Sequence, residues 1–154
     1  MRVMAKLDDR SPSVELTEES LARLAAAFDR DGVVSASLIG SQATGAAGPL
    51  SDIDLAVWLD PELDRGLDLQ LNLIATASRA LATDEVDLVI LNDAPPLLRQ
   101  RAIASQRVVL DRDPKARLRL EARALIEYLD TKPLRAELAR GLGNRLAEGR
   151  FGRP

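Results

Sequence analysis

The chain has no cysteine and no histidine, and only 3% of its 154 residues are aromatic. Without cysteine there can be no disulfide and no thiolate metal site. Without histidine the usual general base and the commonest transition-metal ligand are missing, so any acid–base or metal chemistry must fall to carboxylates. So few aromatics leave a core of Leu, Val, Ile and Ala. Nowhere do about 18 apolar residues run together, and Met1 to Asp8 has no apolar signal core, so the expectation is a soluble, cytoplasmic protein without membrane association. An excess of one charge is missing too. The 21 basic and 24 acidic residues are interleaved and leave a net charge of −3, which gives no basic footprint for duplex nucleic acid, and no direct DNA binding is expected.

What is present describes an ordinary globular domain, 46% hydrophobic and 29% charged, large enough to bury roughly 70% of its unfolded surface. Residues 1–16 read as a polar N-terminal segment with a loop at Ser11-Pro12-Ser13. Thr17, followed by Glu18 and Glu19, reads as the N-cap of a helix carrying Leu21, Leu24, Ala25 and Phe28 on one face and ending at Asp31-Gly32. Strands are expected at Val33 to Ile39, Ile53 to Leu59, Glu85 to Leu91 and Arg107 to Leu110. A long helix is expected over roughly residues 62–82, with Leu63, Leu67, Leu71, Ile74 and Leu81 on its inner face. A short one follows from Leu97 to Ser105, capped by Asn92 to Pro96. From Pro114, Leu118, Ala122, Leu125, Ile126 and Leu129 mark one helical face up to Pro133, and Leu134, Leu138, Leu142 and Leu146 a last segment weakened by Gly141 and Gly143. Gly149 to Pro154 reads as a loose tail. The fold class is α/β (α+β), a small mixed sheet flanked by helices. Residues 17–112 form the core and 113–149 a C-terminal helical segment of the same domain.

The chemistry concentrates at Gly40-Ser41 and Asp52-Ile53-Asp54, with ten residues between. Alternate residues of a strand share a face, so Asp52 and Asp54 point together while Ile53, Leu55 and Val57 point into the core. Two carboxylates on one edge of an aliphatic sheet repel unless a cation joins them, and Mg2+ suits them because it completes its shell with water and phosphate oxygens. Ser-Asp at a strand entrance can also be a simple loop cap, the better reading for Asp52 alone. Asp54 lies within an apolar run, where an unpartnered carboxylate costs several kcal/mol. Asp87 interrupts a second such run, Val86 to Ile90. If the two strands are neighbours, three carboxylates fit a two-metal nucleotidyl transfer, with Asp87 as metal ligand, general base or both. Gly40 lets a phosphate approach the backbone closely, and Ser41 offers a hydroxyl and an N–H.

These residues resemble the signature of the DNA polymerase β-type nucleotidyltransferase superfamily: Gly-Ser, a ten-residue gap, Asp-x-Asp, and a third carboxylate on the next strand. Downstream, Val86 to Arg99 and Glu121 to Asp130 are similar to the MntA family of adenylyltransferase antitoxins, and the resemblance spans roughly residues 33–140. It implies a polymerase β-type nucleotidyltransferase fold and transfer of AMP from ATP to a tyrosine of a HEPN-domain ribonuclease toxin. Gly40 and Ser41 would hold the triphosphate, and Asp52, Asp54 and Asp87 would bind Mg2+ and promote the tyrosyl attack. The family commonly reads Gly-Ser-Arg-x-Arg-Gly, where this chain has Gln42 and Thr44. Neutral hydrogen bonds there replace two fixed guanidinium forks.

Two other readings stand beside this one. A small hydroxyl compound such as an aminoglycoside could be the acceptor, although such transferases usually carry a larger substrate domain. A non-catalytic antitoxin acting by occlusion would suit the loss of two arginines and sits poorly with three retained carboxylates.

Overall fold

The computed structural model describes residues 16–46 and 52–149. A four-stranded mixed sheet divides two helical layers. β1 (Val33–Ile39) lies antiparallel to β2 (Ile53–Leu59) and to β4 (Arg107–Asp111), and β3 (Val86–Ile90) lies parallel to β2. The segments expected as strands are strands, with β3 one residue shorter at each end and β4 one residue longer.

Alternation along β2 fills both faces. Ile53, Leu55, Val57 and Leu59 meet α1 (Glu18–Phe28) and α3 (Leu67–Leu81) in the larger core, where Leu24, Phe28, Leu73 and Ala77 are wholly buried. Ala56 and Trp58 point the other way, into a second core closed by Ala102 of α4 (Pro96–Ser105) and Ala124 of α5 (Pro114–Asp130). Asp54 shares the strand parity of Ala56 and Trp58, at the start of β2. Thr17 caps α1 as expected, its hydroxyl accepting from the Ser20 N–H.

The helices correct several expectations. α3 begins at Leu67 instead of near residue 62. Arg65 explains the delay: its guanidinium donates to the carbonyls of Pro61 and Leu63 and clamps Asp93, so the preceding residues stay in a turn. The buried face of α3 is Leu73, Ala77 and Leu81, while Leu67 and Leu71 are exposed. Asn92 and Asp93 do not cap α4, whose first turn starts at Pro96 after Pro95. Asn92 instead bonds both the N–H and the carbonyl of Leu59, tying β3's end to β2's.

The leucine face read along α5 points outward. Leu118, Leu125, Ile126 and Leu129 are exposed, and α5 docks through Glu121 and Ala124. Polar chemistry explains this: Glu121 accepts from Gln106 at 2.7 Å and pairs with Arg117, which also grips Asp111, and Ser37 of β1 donates to Gln106. This network fixes α5 to β4 and β1. Pro133 does not end the helical path; it opens α6 (Lys132–Ala147), which contains Gly141 and Gly143 and has no buried residue. Residues 1–15, the Gly48-Pro49 connection and residues 150–154 lie outside the described residues.

Candidate active site

The site grows from one register. Ile39, the last residue of β1, is the partner of Asp54 on β2, and Asp54 is the partner of Asp87 on β3. A carboxylate on each of two adjacent strands therefore faces the same side, and the turn after β1 is set beside them.

Gly40 occupies that turn with φ +66°, a conformation that L side chains rarely adopt. A Cβ at this position would lie 2.6 Å from Oδ2 of Asp54. Glycine is thus required twice, by the backbone and by the closeness of the carboxylate. Gly40 to Thr44 form the single helical turn α2, with Ser41 near its start. The Thr44 hydroxyl donates back to the carbonyls of Gly40 and Ser41, so it is engaged within the turn.

The electrostatics follow from the placement. Burial pushes the Asp54 carboxyl above its ordinary range, and the charges of Asp87 and then Asp52 add to it. Among the described residues no hydrogen-bond donor or cation meets Asp54. Asp52, just ahead of β2, and Asp87 are exposed. A cleft of about 340 Å³ opens here, walled by Ile39, Asp54, Gln70, Asp87, Val89 and Leu98 among others, none of them cationic.

The structure thus brings Gly40, Asp54 and Asp87 together, with Ser41 and Asp52 at the margin. Among the described residues no three acidic groups close into a cage that would hold an ion unaided. An all-oxygen, mutually repelling donor set with open positions suits a hard cation that keeps water or phosphate oxygens in its shell. Gln70 and Leu98 were not singled out in the sequence. Each sits on a helix remote from the motif, and only the fold carries them to the cleft.

Comparison with known proteins agrees with this geometry. A solved toxin–antitoxin complex with AMP-PNP matches over 82% of this chain and 98% of that chain, at 22% identity and a TM-score of 0.68. The MntA–HepT toxin–antitoxin pair matches over 82% and 98%, at 19% identity and a TM-score of 0.65. A complex of a tri-AMPylated Shewanella oneidensis HEPN toxin with an MNT antitoxin matches over 80% and 95%, at 18% identity and a TM-score of 0.63. At such identities the likeness is one of fold. No curated protein matches the sequence. The family model described as polymerase beta, nucleotidyltransferase, matches residues 23–115, a span that holds both halves of the acidic corner, and the chain belongs to that nucleotidyltransferase family.

Proposed function

We propose that the protein is an antitoxin adenylyltransferase that moves AMP from ATP to a tyrosine hydroxyl of a HEPN-type ribonuclease toxin and so silences it. The observation that carries the reading is the acidic corner itself: Asp54 and Asp87 in register, uncompensated, with Gly40 pressed against Asp54. The fold shared with MntA–HepT and MNT–HEPN complexes supports the partner, and the AMPylated toxin in one of them supports the group transferred.

In this reading Gly40 and Ser41 cradle the triphosphate, while Asp52, Asp54 and Asp87 would hold Mg2+, most simply as a two-metal site. When bound, the metal neutralises phosphate charge and acidifies the attacking hydroxyl. The tyrosyl oxygen forms a bond to the α-phosphorus, the α–β phosphoanhydride bond breaks, and pyrophosphate departs. The hydroxyl proton passes to Asp87, which is exposed beside Asp54 and has no competing hydrogen bond among the described residues. Apolar walls from Ile39, Val89 and Leu98 suit an aromatic acceptor lying against the carboxylates.

One observation favours inhibition by occlusion instead. Gln42 and Thr44 stand where the resembled family has arginines, and none of the residues walling the cleft is cationic. Incubation with labelled ATP, Mg2+ and a HEPN-type toxin that the protein inhibits separates the two. Label on the partner, with inhibition lost in the Asp52→Asn/Asp54→Asn variant, is the expected result. An unlabelled partner inhibited equally by that variant leaves occlusion.

A further inference from the structure

The other end of β2 carries a second cavity. It is about 280 Å³ and is walled by Trp58, Arg65, Asn92, Arg99, Arg123 and Glu127 among others. Trp58 and Asp54 lie four residues apart on one face of the strand, about 13 Å along it at roughly 3.3 Å per residue. Neither Trp58 nor Arg99 walls the cleft at the carboxylates.

Among the described residues three buried side-chain polar atoms lack a hydrogen-bond partner, and two of them are N–H donors of residues in this lining: the indole N–H of Trp58 and the Nε–H of Arg99. Trp58 is only 2% exposed. A buried donor without an acceptor costs about 1–3 kcal/mol, more for a charged group, so two in one lining point to an acceptor that the chain does not itself supply.

The remaining groups define which acceptor fits. Arg65 is spent on Asp93 and two carbonyls, and Asn92 on Leu59. Glu127 already accepts from Arg99 and Arg123, which together hold its carboxyl below the ordinary range. Arg123 spends only its Nε on Glu127 and leaves its terminal amino groups to solvent at the cavity rim. Arg119, one turn back on α5, lines the adjoining groove together with Asp60 and Asp113 and makes no ion pair among the described residues. The lining thus carries donors that the chain leaves unspent, its one carboxylate is held by two guanidiniums, and Arg123 places positive charge at the rim. The cavity lies below the roughly 300–1,000 Å³ of a typical small-molecule pocket, which suits a small group more than a nucleotide.

We propose that this cavity is a second binding site, for a phosphate-type oxyanion seated against Trp58, Arg99 and Arg123. The ligand is either free phosphate or the phosphoryl end of a small molecule. The site is separate from the carboxylate corner and does not depend on the activity proposed for it.

Trp58 is the only tryptophan of the chain, so its emission reports on this cavity directly. The full chain is titrated with inorganic phosphate, with pyrophosphate and with AMP at fixed ionic strength, with chloride as the control. A saturable change with phosphate identifies the free anion, and one with AMP or pyrophosphate alone identifies a phosphoryl end. Asp54→Asn leaves that response in place, while Arg99→Gln and Arg123→Gln each weaken it about tenfold or more, the weight of one charge-assisted hydrogen bond. Arg123 is exposed, so its variant keeps the test informative if Arg99→Gln fails to fold. A response that merely follows ionic strength, that disappears in Asp54→Asn, or that survives in both arginine variants would overturn the proposal, as would no response to any of the three.

Discussion

The two ends of β2 carry opposite electrostatics on one face. At its start Asp54 meets only other carboxylates, and burial together with Asp87 and Asp52 holds its carboxyl above the ordinary range. Beyond its far end Glu127 meets two guanidiniums, and Arg99, then Arg123, holds its carboxyl below that range. A paired carboxylate is part of the scaffold: Glu127, Glu121 and Asp93 each fasten one element to another or brace a helix. An unpaired one costs stability and persists where a ligand supplies the missing charge. Protein stability and chemistry are thus expected to respond in opposite senses at the two kinds of carboxylate.

The largest expected effect is on chemistry at the unpaired end. Asp87→Asn should lower AMP transfer by about 10²–10⁴, the range of a lost general base, with an unchanged circular dichroism spectrum. Unfolding of that variant would instead make Asp87 a structural carboxylate. Next comes Glu121→Ala, which takes the acceptor from the Gln106 amide and leaves Arg117 paired with Asp111 alone. Urea titration should show a loss of about 1–3 kcal/mol, and a loss near zero would mean that the network does not anchor α5. Gly40→Ala forces a side chain into the positive-φ turn and onto Asp54. Strain of about 1–2 kcal/mol follows, and transfer should fall with it; a variant of full activity would show that Gly40 need not touch Asp54.

A smaller effect has the opposite sign. The native Asp54 carboxyl binds its proton more tightly than the unfolded one, whose ordinary value is 3.8. Stability therefore falls as pH rises from that value through the raised native one. Asp54→Asn should raise the unfolding temperature at pH 7.5 and leave it unchanged at pH 3, where both states are protonated. Adding Mg2+ should stabilise the parent and not the variant. The smallest effect belongs to α6, where Leu138→Ala should change stability by under about 0.5 kcal/mol because that side chain is exposed.

Much of the fold is legible in the sequence where the causes are local. β1 and β2 carry the bounds expected from their apolar runs, since Gly32, Gly40 and Asp60-Pro61 stop them on the spot. The acidic corner is legible because an aspartate inside an apolar strand has few inexpensive explanations, and the register Asp54 to Asp87 bears out the expected adjacency of the strands. The misses come from long-range partners. Helical periodicity in α5 marks a face without saying which way it turns, and the Glu121–Gln106–Ser37 bonds, spanning three elements, decide it. Arg65 shortens α3 through an aspartate far along the chain. The orphan donors of Trp58 and Arg99 left no trace in the sequence, because an unsatisfied atom is defined only by what the fold fails to bring to it.

The most direct test of the acidic corner is to follow two labels at once. Given ATP labelled at the α-phosphate or at the γ-phosphate, with Mg2+ and the proposed HEPN-type partner, the parent protein should place the α-label on the partner and release the γ-label as pyrophosphate. Asp54→Asn should do neither. An α-label that reaches the partner undiminished in Asp54→Asn would contradict the account.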